Sequence, residues 1–198
     1  MAFVLHQYIR ACMYASIARK QTMSTTSTAS SKHPDPLSTV RWRREVPEQI
    51  RSLGALARAD YADIVTATIN ETPADPEQVV HATLRGVPRG LLLLIPFVQR
   101  VFLGFRLKLR PAPDRLLGWK IADRGENWMR IETASWFLTG HVVMHVDEGH
   151  LSLASFIRYD RWPAAFLWPP VSLIHRQVGL ALVRSAIRTQ FQGTASHT

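Results

Sequence analysis

Four of the histidines, His141, His145, His150 and His175, fall within the patterned second half of the chain and carry the side chains best suited to proton transfer or metal ligation near neutral pH. Two histidines four positions apart serve a metal well on a helix, but around His141 and His145 apolar and polar residues alternate with a period of two. On a strand, residues four apart stand roughly 13 Å from one another, too far to share an ion, so no metal site is expected. These histidines are instead expected on a partly exposed strand face, with water or cross-strand partners. His175 differs: it falls in a helical pattern beside an apolar stripe through Val171, Val178 and Leu182. From there it can reach a cavity, orient the polar group of a ligand, or donate and accept a proton. The alternative is a structural histidine bonded to a neighbouring loop, since the sequence places no carboxylate or nucleophile beside it.

The other chemistry-bearing residues exclude more than they suggest. No Gly-x-Ser-x-Gly elbow, dinucleotide-binding glycine pattern or Walker-type loop is present, so nucleotide-dependent chemistry is unsupported and no cofactor is expected. The carboxylate pairs Asp147 with Glu148 and Asp60 with Asp63 lie in turn or strand-edge contexts that solvation and capping explain. No catalytic residue is therefore assigned, His175 being the single candidate.

The elements that must position these residues follow from periodicity. Ile50, Leu53 and Leu56 allow a short helix or an irregular approach between Pro47 and Ala59. Tyr61, Ile64, Val65, Ala67 and Ile69 predict a strand closed by Asn70 and Pro73. Asp75, Pro76 and Glu77 then open a helix that buries Val79, Val80 and Leu84. Leu91 to Phe105 is the most hydrophobic run, but its 15 residues, interrupted by Pro96, Gln99 and Arg100, fall short of the roughly 20 a membrane crossing needs. It predicts a buried helix kinked near Pro96, whose Phe97, Phe102 and Phe105 fill a core or line a pocket. Gly118 to Asp123 and Asn127 to Thr133 read as strands joined at Arg124 and Gly125. Next, Trp136, Leu138, Val142, Met144 and Val146 share one face, and Phe137, Thr139, His141, Val143 and His145 the other. Asp147, Glu148 and Gly149 turn the chain into a strand through Leu151, Leu153 and Ile157. Asp160 to Pro170 reads as a connection or short broken helix, and a final helix is expected from about Pro170 to Gln190.

Composition sets the wider frame. With 198 residues, 46% of them hydrophobic, the chain suits one folded domain, expected over 36–192, with a flexible basic leader at 1–35 and a tail at 193–198. Met1 to Thr22 is basic and amphipathic, compatible with a transit peptide, a membrane-surface anchor, or translation that begins at Met23. Cys12 is the only cysteine, which excludes an intrachain disulfide and suits a reducing, cytoplasmic location. The net charge of +9 is concentrated in residues 85–120, where Arg85, Arg89, Arg100, Arg106, Lys108, Arg110, Arg115 and Lys120 face the single acid Asp114. Such a block can attract an anionic membrane or nucleic acid, or form a solvated face; without a recognisable nucleic-acid motif, nucleic acid is not favoured.

The order of strand, two helices, several antiparallel strands and a long terminal helix resembles the helix-grip superfamily of START-domain, Bet v 1-like and polyketide cyclase-like (SRPBCC) proteins. Asp60 to Gln190 is most similar to a bacterial family of unknown function in that group, in which the helix after the late strands carries a His-Arg pair. Here the pair is His175 and Arg176, in the segment Leu173, Ile174, His175, Arg176. That family's pattern has proline two positions before the histidine, where this chain has Leu173, with Pro169 and Pro170 earlier. The resemblance implies an α+β helix-grip fold, a curved antiparallel sheet wrapped around a long carboxyl-terminal helix with two shorter helices after the first strand. It also implies a hydrophobic ligand cavity, and it transfers no catalytic residue.

The expected function is binding of a small hydrophobic molecule between sheet and terminal helix. Trp136, Leu138, Met144, Leu153 and Ile157 would supply the sheet wall, and Ile174, His175 and Val178 the helix wall. The alternatives are a cyclase- or dehydratase-like enzyme using His175 as acid or base, and a peripheral binder of anionic membrane or nucleic acid through 85–120. Nothing in the sequence sets an oligomeric state.

Overall fold

The computed structural model describes residues 39–69, 79–80, 89–108, 110, 112–147 and 149–194. The expected leader, the tail beyond 194, and the helix opened by Asp75 lie outside the described residues, except that Val79 and Val80 are helical and buried.

The protein is α+β, with a curved seven-stranded antiparallel sheet and a long carboxyl-terminal helix. In chain order the elements are β1 (Arg41–Arg43), α1 (Glu48–Leu53), β2 (Tyr61–Thr68), α2 (Arg89–Val101), β3 (Arg115–Leu116), β4 (Trp119–Arg124), β5 (Trp128–Ala134), β6 (Leu138–Asp147), β7 (His150–Tyr159) and α3 (Pro163–Thr194). The sheet order is β1-β2-β7-β6-β5-β4-β3. Strand β2 enters between β1 and β7, so the amino-terminal segment and the late hairpin share one layer. The β6–β7 hairpin closes on a two-residue turn whose Gly149 has φ +80°, a conformation that costs glycine least.

Register decides which side chains meet. Across the inner face, Asp63 of β2 pairs with Ser155 of β7, Ser155 with Val142 of β6, and Val142 with Ile131 of β5. A second row runs Val65, Leu153, Met144 and Met129, and a third runs Tyr61, Ile157 and Gly140. The opposite face, with Ile64, Ala154, Val143 and Phe156, is covered by Val46 and by Ile50 of α1. Both faces of the central strands are thus buried.

Helix α3 crosses the inner face and seals it at two ends. At one end Trp168 and Ala164 pack with Tyr61, Leu138, Ile157, Phe105 and Trp119; at the other Val183, Ala186 and Ile187 pack with Val65, Leu151 and Val146. The helix begins at Pro163 rather than near Pro170, and Pro169 and Pro170 lie inside it. Pro163 stands at the first helical position, where its missing N–H is no loss. The burial of Ala164 and Trp168, one turn apart, then outweighs the two backbone bonds that the later prolines remove.

Two other expectations change. Helix α2 continues through Pro96 to Val101, and Phe97 and Val101 on it are more than half exposed, so it is not buried throughout. His141 is not on a partly exposed face: it is buried because the chain leaving α1 folds over it, and its Nδ1 lies 2.7 Å from the Gly54 carbonyl oxygen. A carbonyl only accepts, so Nδ1 carries the proton. Among the described residues no helix is long and apolar enough to cross a membrane.

Candidate functional site

Between the two sealed ends, the middle of α3 stands off the sheet and leaves a cavity of about 140 Å³. Its floor is the first two inner-face rows: Asp63, Ser155, Val142 and Ile131, then Val65, Leu153, Met144 and Met129. Its roof is His175, Arg176, Val178, Gly179, Leu182 and Val183 of α3. Ile95 and Gln99 of α2 and the tight β3–β4 turn close the side. Gln99 is held in place by accepting a hydrogen bond from Trp119 Nε1 at 3.1 Å. At Gly179 the roof comes close enough that an added Cβ would lie 3.4 Å from Val65 Cγ2. The third row is excluded because Trp168, Phe105 and Trp119 already fill the space above it.

Among the described residues the lining is apolar apart from Gln99, Arg176 and one cluster of Asp63, Ser155 and His175. Asp63 is 3% exposed, and its Oδ2 accepts hydrogen bonds from Tyr61 Oη at 2.6 Å and Trp42 Nε1 at 3.1 Å. His175 Nε2 lies 2.9 Å from Ser155 Oγ and 4.0 Å from Asp63 Oδ1. The Trp168 ring stands 5.4 Å from the imidazole, centroid to centroid, and the same distance from Tyr61. Cations cap the cluster from outside. The Arg44 guanidinium carbon is 4.2 Å from the Tyr61 ring centroid, and that of Arg176 is 4.6 Å from Trp42's.

Burial sets the protonation states. It lowers the His175 pKa below the usual imidazole value, opposed in part by the nearby Asp63 charge, so the ring is neutral at physiological pH. Burial, reinforced by the hydrogen bond to Asp63, pushes the Tyr61 phenol well above its ordinary value and keeps it a donor.

The chemistry this allows is narrow. A nucleophile–histidine–carboxylate relay needs its two partners on opposite ring nitrogens. Here Ser155 and Asp63 address the same nitrogen, so the geometry does not activate Ser155. A neutral imidazole at a cavity wall can still orient a polar group or exchange a proton with it. Among the described residues no group of three or more His, Cys, Asp or Glu side chains could hold a metal ion.

Of the residues expected to form the site, Met144, Leu153, His175 and Val178 line the cavity. Leu138 and Ile157 lie in the filled core beneath Trp168. Ile174 is partly buried on α3 but outside the lining, and Trp136 stands 57% exposed in the β5–β6 turn. The sequence reading set Asp63 aside as a strand-edge carboxylate, whereas it is buried in the cavity wall, and it missed Ser155, Trp42 and Gln99. Asp63 and Ser155 had a readable signal, each being a polar residue on the apolar parity of its strand: Asp63 between Tyr61 and Val65, Ser155 between Leu153 and Ile157. Trp42 and Gln99 come from elements whose contacts no local period reveals. Comparison with family models, with curated proteins and with solved structures finds no match to this chain.

Proposed function

We propose that the protein binds a small hydrophobic molecule in the cavity between its sheet and terminal helix. The supporting observation is an apolar chamber of about 140 Å³ with one polar cluster on its wall. Close-packed interiors leave few voids larger than a water molecule. A chamber near the roughly 150 Å³ that admits a benzene ring is therefore a site for a small apolar group. A curved sheet closed by a long helix is also the arrangement of the helix-grip superfamily, and that resemblance supports the same reading. The test is native mass spectrometry of the purified chain after incubation with a mixed extract of lipids and aromatic metabolites. Retention of a small molecule, lost in a Gly179→Leu variant that fills the roof, is expected; an unliganded spectrum throughout counts against the reading.

A second reading, contact with an anionic membrane, draws on a different surface. Trp162, in the turn just before α3, and Phe166 and Leu173 on α3 are 77%, 73% and 62% exposed. The exposed Trp136 joins them, with the Arg161 guanidinium carbon 5.8 Å from its ring centroid. From 161 to 194 the chain carries no acid, so these apolar side chains meet an anionic surface without repulsion. The block at 85–120 contributes less than its count suggests, because Lys120 pairs with Glu132 at 3.3 Å and Arg115 with Asp114 at 3.7 Å. Co-sedimentation with phosphatidylserine vesicles, lost in Trp162→Ser/Phe166→Ser, tests this reading. Equal sedimentation of the variant removes it.

A further inference from the structure

We propose that the cavity selects ligands whose polar end is a hydrogen-bond donor, an O–H or N–H group, and that Asp63 Oδ1 is its acceptor. This rests on the cavity being a ligand site and names the class of molecule it takes.

The two oxygens of Asp63 are not equivalent. Oδ2 accepts from both Tyr61 and Trp42, while Oδ1 has no hydrogen bond among the described residues. His175 Nε2 is 4.0 Å away, beyond hydrogen-bond length, and that nitrogen is engaged by Ser155 at 2.9 Å. The residue is 3% exposed and lines the cavity. Oδ1 is not among the fully sealed atoms that lack a partner, so it is accessible at the cavity that Asp63 lines. A carboxylate oxygen facing an apolar chamber without a donor is costly, since polar groups withdrawn from water are almost always paired. Tyr61 and Trp42 fix the carboxylate's orientation, so the unfilled lone pairs are aimed and do not relax away. A donor-bearing ligand meets this demand; an anionic ligand brings like charge to the carboxylate in a medium that screens poorly.

Arg176 is the rival. It is the one Arg or Lys of the lining among the described residues, yet none of its nitrogens comes within 4.0 Å of Asp63, and it stacks over Trp42. A ligand anion held by Arg176 is thus the competing outcome. The volume of about 140 Å³ limits the buried part to one ring or a short chain.

The test is a matched series of one-ring probes on the full chain, with dissociation constants from calorimetry or ligand-observed NMR: toluene, benzyl alcohol, benzylamine and benzoate. Benzyl alcohol and benzylamine are expected to bind about tenfold tighter than toluene, and benzoate weakest. In Asp63→Asn the new amide keeps its oxygen under the Tyr61 and Trp42 donors and turns its NH2 toward the cavity. The order should then reverse, benzoate gaining and benzylamine losing. A merely structural aspartate would leave the order unchanged. Equal binding of benzyl alcohol and toluene by the wild type overturns the assignment while leaving the cavity reading intact, and needs no variant to fold. Benzoate binding tightest, and lost in Arg176→Gln, overturns it in favour of the arginine. Binding of none of the four overturns the cavity reading and the assignment together.

Discussion

His175 Nε2 lies 2.9 Å from Ser155 Oγ, a contact that joins α3 to β7 across the cavity wall. Because burial lowers the His175 pKa, the folded state takes up its proton less readily than the unfolded chain. The sign follows: His175 favours folding fully above its ordinary pKa near 6.5, and that contribution falls as pH drops through and below this value. His141 acts in the same direction, its pKa lowered chiefly by burial. Urea denaturation from pH 7.5 to 5 is expected to show falling stability, by up to about 1.4 kcal/mol per pH unit for each group. His175→Gln should flatten the slope without abolishing it. A variant slope equal to wild type would show that His175 titrates normally.

The Asp63 carboxylate holds two donors, so its removal and its neutralisation should differ. Asp63→Ala leaves Tyr61 Oη and Trp42 Nε1 without their acceptor, at about 1–3 kcal/mol for a buried unsatisfied donor. Asp63→Asn retains an oxygen in that place. The alanine variant is therefore expected to unfold at lower urea than the asparagine variant. Equal midpoints would mean that the two donors find other partners.

Much of this arrangement was legible in the sequence. The period-two alternation from Leu138 to Ile157 marked the β6–β7 hairpin and sorted Met144 and Leu153 onto the face that meets α3. Alternation gives a face but not a depth along it. Leu138 and Ile157 share the parity of Met144, yet Trp168, Phe105 and Trp119 arrive from distant segments and fill the space above them. The early start of α3 was hidden by Pro169 and Pro170, whose local preference lost to the burial of Trp168. Asp63 was read as a strand-edge carboxylate because its two donors come from Tyr61 and from a three-residue strand that has no periodic signature.

Leu117 closes the β3–β4 turn with φ +51°, a left-handed conformation that leucine adopts at a cost of about 1–2 kcal/mol, and its side chain lines the cavity. Leu117→Gly should relieve the strain while opening the wall. Thermal stability is expected to hold or rise slightly, even though the apolar side chain is lost, and retention of a bound ligand should weaken. Clear destabilisation would show that the leucine's packing outweighs its backbone strain.

Val178 faces the chamber from α3, and lengthening it by one methylene distinguishes a real void from a filled core. In an empty apolar space the added group contributes about 0.8 kcal/mol, and the change from a β-branched residue to leucine also suits the helix. In a close-packed interior the same group would cost about 1–3 kcal/mol. Val178→Leu is therefore expected to raise the melting temperature by about 2–4 °C for a chain of this size. It should also weaken retention of any molecule bound in the chamber, since both compete for the same space. A lowered melting temperature would mean that the space between α3 and the sheet is already full.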